Sequence, residues 1–174
     1  MPISHPTLLF LAYNMRPKIC DSEFMSALVY APLEDALWPL MNKFYRSHQS
    51  SMKASKDAQL WVARETGIVA GLCLRPTAQG YWLTGLFVAP ALRKRGIAKA
   101  LVEQAVMPCE GPVWLFCDPE LQGFYEGLGF SLDTTLPQVL HERLVRYQRN
   151  KAMIAMGLNP TPECPAPNQE TTRR

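Results

Sequence analysis

Tyr81-Trp82-Leu83-Thr84-Gly85-Leu86-Phe87-Val88-Ala89-Pro90-Ala91-Leu92-Arg93-Lys94-Arg95-Gly96-Ile97-Ala98-Lys99-Ala100-Leu101-Val102 is the stretch from which the fold is read. Tyr81 to Val88 is aromatic and aliphatic, the composition of a buried strand. Pro90 ends it, because proline has no N–H for a ladder. Arg93, Lys94 and Arg95 then place three cations directly before Gly96, where the backbone can adopt angles and close approaches denied to other residues. Ile97, Leu101 and Ala105, with Ala98 and Val102 beside them, repeat at helical spacing up to Pro108. A basic loop that opens a helix after a strand is suited to hold phosphate: the first-turn N–H groups are free and the helix dipole favours an anion. The competing reading is an exposed basic turn between a core strand and a core helix.

A second stretch follows at the distance of one strand and one helix. Val113-Trp114-Leu115-Phe116-Cys117 is a buried-strand run. Asp118 is a good N-cap, Pro119 suits the first helical position, and Glu120 lies in the first turn. Leu121, Phe124, Tyr125 and Leu128 fall on the helix that follows, and Gly129 before Phe130 is a C-cap candidate.

These two stretches resemble the GNAT acetyltransferases. Their coenzyme loop has the pattern (Gln or Arg)-x-x-Gly-x-(Gly or Ala) after a strand ending Val-x-Pro, and here Val88-Ala89-Pro90 precedes Arg93-Lys94-Arg95-Gly96-Ile97-Ala98. Phe124-Tyr125-Glu126-Gly127-Leu128-Gly129-Phe130 is similar to the family's second motif, F-Y-x-x-x-G-F. The resemblance extends over Leu8 to Leu158 and is specific between Tyr81 and Phe130.

Elsewhere the chain has the signals of an α/β domain. Leu8 to Tyr13 is expected as a first strand, and a short helix capped by Asp21 or Ser22 as the next element, running through Phe24, Met25 and Leu28. A helix near Asp35 presents Leu37, Leu40, Met41, Phe44 and His48 on one face, with Pro39 in its first turn and His48 at its end. A polar loop from Ser47 to Asp57 leads to a meander: Gln59–Arg64, a turn at Glu65-Thr66-Gly67, Ile68–Leu74, a turn at 75–80, and the strand from Tyr81. After the second motif come Phe130 to Leu132, a helix over Gln138–Arg149 with Leu140, Leu144, Val145 and Tyr147 among arginines, and a last strand within Lys151–Leu158. The expected architecture is the GNAT fold: a mixed, mostly antiparallel sheet of about six or seven strands with helices on both faces. One domain is expected over 1–158 and a disordered tail over 159–174, rich in Pro, Thr and Glu.

Composition narrows the classes. The net charge of +3 is compatible with an anionic ligand without calling for nucleic acid, and the basic helix lacks an aromatic platform. Five cysteines, with no Cys-x-x-Cys and no His cluster, argue for reduced thiols in a cytoplasm rather than disulfides or a metal site. Leu8 to Ala12 is too short for a signal peptide core, and no run approaches transmembrane length.

The resemblance implies acetyl transfer from acetyl-CoA, without a metal, to the amine of a small molecule or peptide. It implies that the backbone of Leu86, Phe87 and Val88 aligns the pantetheine. Arg93, Lys94, Arg95, Gly96, Ile97, Ala98 and Lys99 bind the pyrophosphate, and Tyr125 protonates the leaving thiolate. Asp118 stands where many members have a cofactor-contacting Asn; the alternative role is the N-cap alone. Many members carry a Glu on the central strand as general base, whereas Trp82, Leu83, Thr84 and Gly85 include no carboxylate. Cys117 has no adjacent base and is read as packing; Trp38, Tyr45 and Trp82 are also read as packing, although these three could line an acceptor pocket. Which amine is acetylated, and whether the protein is a homodimer, are left open by the sequence. The alternative of another class is a non-catalytic acyl-CoA-binding or interaction module on the same fold.

Overall fold

The computed structural model describes residues 28–132 and 134–159. The strand expected at Leu8–Tyr13 lies outside them. So do nearly all of the helix expected after Asp21 and all but one residue of the 159–174 tail. In chain order the elements are β1 (Val29–Leu33), α1 (Trp38–Ser47), β2 (Gln59–Arg64), β3 (Ile68–Thr77), β4 (Gly80–Val88), α2 (Ile97–Val106), β5 (Val113–Cys117), α3 (Gln122–Glu126), α4 (Gln138–Gln148) and β6 (Ile154–Leu158). The strands form one sheet in sequence order. Every pairing is antiparallel except β4 with β5, which is parallel. This is the mixed, mostly antiparallel sheet expected, with six strands among the described residues.

Helices cover both faces. Ile97, Leu101, Val102 and Ala105 of α2 pack on Ala63, Ala70, Leu72, Leu74 and Leu83, in a core that also takes in Tyr125 and Phe130. On the other face Met41, Phe44 and Tyr45 of α1 meet Leu60, Val62 and Cys73. Leu140 of α4 meets Trp82 and Trp114 there. Alternate residues of β2 divide between the two cores, Leu60 and Val62 to one and Trp61 and Ala63 to the other, as a pleated strand requires.

Several expectations are corrected. β1 had no counterpart in the sequence reading. Its Pro32 cannot donate to a ladder, and β1 is the outermost of the described strands, paired only with β2. α1 buries Met41, Phe44 and Tyr45 while Leu40 is 45% exposed, so the buried face is rotated from the Leu37-Leu40 row. The rotation puts the Tyr45 ring into the core with its hydroxyl on a backbone carbonyl. The second-motif helix is shorter than expected: a 3-10 turn at Pro119–Leu121 and a single α-turn at Gln122–Glu126. Leu121 and Phe124 are exposed, whereas Tyr125 is buried and Leu128 packs against the core. Only Leu140 of α4 is buried, whereas Val145 and Tyr147 are exposed. Phe130 to Leu132 joins the sheet through one bridge, between Ser131 and Gly157. Gly157 is required there, because a Cβ would collide with the Thr134 side chain.

The feature that shapes the site is a bulge in β4. Gly71 pairs with Phe87 but Cys73 with Thr84, so β4 carries one extra residue between them. Gly85 takes it up at φ +65°, a left-handed conformation suited to glycine. The Tyr45 hydroxyl donates to the Gly85 carbonyl at 2.6 Å and holds the bulge from below. We expect Tyr45→Phe to cost about 1–3 kcal/mol, since it leaves that carbonyl without its donor. Urea unfolding measures this, and an unchanged midpoint would show that the bulge stands without the tyrosine.

Candidate functional site

β4 and β5 pair only at Tyr81 with Val113, Trp82 with Trp114 and Leu83 with Leu115. Beyond that point the two strands separate, and no described strand pairs with Leu86–Val88 on the β5 side. The β4 edge facing the gap therefore offers backbone groups that an extended ligand could use as an added strand would. Arg93 already occupies one of them: its Nε donates to the Val88 carbonyl at 3.2 Å, and its guanidinium lies 5.3 Å from the Phe87 ring centre. Arg93 thus ties the end of β4 to the basic loop as well as lining the cleft.

The loop itself is built for close approach. Lys94 has φ +62° and Gly96 φ +76°, and the chain passes from Gly96 directly into α2. For Lys94 this conformation is costly, which marks a backbone shaped by its surroundings. Left-handed residues next to a helix start turn successive N–H groups toward one side, the geometry of an anion-binding nest. No side chain caps the first turn of α2. A Cβ added to Gly96 would meet no protein atom within 4 Å, so the glycine leaves open room in front of those amides.

Across the cleft stands Tyr125, brought there by the single turn of α3 and fixed by the chain reversal at Gly129, which has φ +87°. The Phe130 N–H returns to the Tyr125 carbonyl at 3.1 Å. The rings of Phe124 and Phe130 meet the Tyr125 ring edge-on, at 4.9 and 5.9 Å between centres. Burial, with a smaller contribution from Cys117, pushes the phenol from 10.0 up to about 12. The hydroxyl is therefore protonated throughout the neutral range. Cys117, the last residue of β5, lies in the core beneath and is not among the residues that line the cleft. It is buried, it faces Met156 sulfur at 3.8 Å, and its thiol is pushed up by burial and by Asp118. That is the setting of a packed thiol rather than of a nucleophile.

The β4 edge, the basic loop with the start of α2, and Tyr125 line one cleft of about 650 Å³. Of the residues singled out in the sequence, it brings together Leu86, Phe87, Val88, Arg93, Lys94, Gly96, Ile97, Ala98, Lys99 and Tyr125. Arg95 and Asp118 are not among its lining residues. Asp118 accepts from the Glu120 N–H at 3.0 Å, the N-cap role that its sequence position suggested. Lys99 also reaches Glu103 at 3.8 Å, an exposed pair of small energetic weight. Ser50, Met52, Leu92, Leu121 and Phe124 complete the walls. Ser50 and Met52 were not anticipated, because they sit in a polar loop without periodicity. Among the described residues, no Asp or Glu lines the cleft. His48 does not line it either; its ring packs against Phe44 and Phe87 at 5.1 and 5.8 Å.

Residues 56–132, the stretch that contains the meander, the loop and the second motif, match the acetyltransferase (GNAT) domain. No curated protein is similar enough to match. Among solved structures, Escherichia coli ElaA superposes with a TM-score of 0.56 at 15% identity, covering 76% of this chain and 100% of that one. The Escherichia coli ribosomal-protein-S18-alanine N-acetyltransferase superposes with a TM-score of 0.57 at 16% identity, covering 79% and 99%. Mycobacterium tuberculosis Rv2747, solved in complex with CoA, gives 0.58 at 15% identity, covering 76% and 99%. At these identities the likeness is one of fold.

Proposed function

For a chain that carries a GNAT acetyltransferase domain on the GNAT fold, we propose that the cleft transfers acetyl from acetyl-CoA to an amine by direct attack in a ternary complex. The observation that carries this reading is the convergence on one cleft of the open β4 edge, the Lys94–Gly96 loop with the start of α2, and Tyr125. The loop amides with Gly96 suit a pyrophosphate, Lys94 and Lys99 add positive charge, and the edge of Leu86–Val88 suits the amides of a pantetheine arm.

Each residue then has a defined task. An N–H of Phe87 or Val88 donates to the carbonyl oxygen as the acceptor nitrogen bonds to the thioester carbon and negative charge builds on oxygen. The C–S bond breaks, and Tyr125 gives its proton to the departing sulfur. Water restores that proton and takes up the one released from nitrogen. With no carboxylate among the described residues of the cleft walls, the acceptor arrives neutral or loses its proton to water. A phenol at about 12 is a weak acid in water, but the sulfur departs beside Tyr125, into the same buried surroundings that raise its hydroxyl. The developing thiolate is correspondingly more basic there, so the two groups remain matched.

Acetyl-CoA is expected to raise the melting temperature as its concentration passes the dissociation constant, with a gain of about 2.7 kcal/mol at one hundred times that value. Absence of any shift at millimolar acetyl-CoA, together with silent calorimetry, removes the reading. The lack of a carboxylate favours one second reading, a coenzyme-binding module without turnover. Thiol release in the presence of a panel of primary amines separates the two.

A further inference from the structure

A second concavity, of about 470 Å³, lies between α1 and the β2–β3 turn. Its lining is Leu40, Lys43, Phe44, Ser47, His48, Arg64, Thr66, Gly67 and Ile68, and none of these residues lines the coenzyme cleft. The two are separated by the stack of Phe44, His48 and Phe87. The volume is within the range of about 300–1,000 Å³ usual for small-molecule sites.

The lining is divided by chemistry. Leu40, Phe44 and Ile68 are apolar, while Lys43 and Arg64 are cationic and His48 brings an imidazole. Neither Asp nor Glu is among the lining residues, and neither Lys43 nor Arg64 has an ion pair among the described residues. Glu65, next to Arg64 in sequence, is exposed and outside the lining. The Arg64 Nε is buried and meets no hydrogen-bond acceptor. Burying such a donor without an acceptor is costly, and a charged one more so. Arg64 also lies at a register shift in the β2–β3 ladder, the kind of irregularity that re-aims a side chain. Ser47 Oγ donates to the Phe44 carbonyl at 2.8 Å and retains the capacity to accept.

We propose that this pocket binds a small amphipathic anion, a carboxylate or phosphate monoester on an apolar body, at a site separate from the coenzyme cleft. The anion lies against Arg64 and Lys43, and the apolar body against Leu40, Phe44 and Ile68. A guanidinium suits both oxyanions, because its fork matches either geometry.

The test uses phenylacetate and phenyl phosphate as probes on the full chain, read by thermal shift and by NMR of the His48 ring. At least one probe is expected to raise the melting temperature at millimolar concentration and to shift the His48 ring signals. The stronger of the two identifies the preferred oxyanion. The shift is expected to fall at least fivefold in Lys43→Gln/Arg64→Gln, with the response to coenzyme A retained. Where the double variant is poorly folded, Lys43→Gln alone, an exposed position, carries the comparison. The proposal is overturned if neither probe moves the melting temperature or the His48 signals, or if the probe response survives in the variants.

Discussion

Tyr125→Phe is expected to lower kcat by about 100- to 10,000-fold, the range of a positioned general acid. Coenzyme binding should be almost unchanged. The ring is held by its edge contacts with Phe124 and Phe130, and these survive loss of the hydroxyl. The loss should fall equally on kcat and kcat/KM, because proton donation to sulfur is made only in the transition state. The pH dependence adds a second reading of the same role. A phenol raised from 10.0 to about 12 is neutral below both values. Its contribution to stability is thus present at neutral pH and is lost only as pH rises through that interval. No alkaline limb in the rate below about pH 10 should therefore belong to Tyr125. Steady-state kinetics with an accepted amine makes the comparison, and a variant turning over at the wild-type rate would leave water as the acid.

Gly96→Val is expected to abolish the acetyl-CoA-induced rise in melting temperature. Two effects act together. Gly96 sits at φ +76°, where a residue with a Cβ is strained by roughly 1–2 kcal/mol, and a β-branched residue is a poor fit. A Cβ there meets no protein atom, so in the free protein the new side chain occupies the open space before the α2 amides. That is the space a pyrophosphate needs. For a domain of this size the strain alone corresponds to a fall of a few degrees in melting temperature, roughly 2–4 °C per kcal/mol. A folded variant that still answers normally to coenzyme A would move the phosphate site away from this loop.

The contrast between these two residues shows what could be read from the chain. Gly96 was legible because its setting is local. A strand that ends in proline, three cations, one glycine and an amphipathic helix occupy consecutive residues, and the backbone between them has few ways to turn. The meander and β5 were legible for the same reason, since each strand declares itself by composition and each turn by its glycine or polar residues. β6 was harder to read, because Ala, Met and Gly carry little strand preference and the pairing with β5 is what makes Ile154–Leu158 a strand. The face of α1 was misassigned because periodicity allows two adjacent stripes. The carbonyl that selects Tyr45 is 40 residues away, at a bulge that no periodicity announces.

The sequence by itself determined the strands of the meander and β5, the basic loop opening α2, and the tyrosine that follows β5, since each depends on neighbours within one or two turns of chain. Tertiary structure alone decided where β4 and β5 part, which places Tyr125 across from the loop. It also gave Ser50 and Met52 a share of the cleft, left Asp118 as a cap outside it, and set Arg64 and Lys43 around a second pocket with no acid among its described residues. These outcomes depend on register and on contacts between distant segments, where a shift of one residue exchanges the faces of a strand.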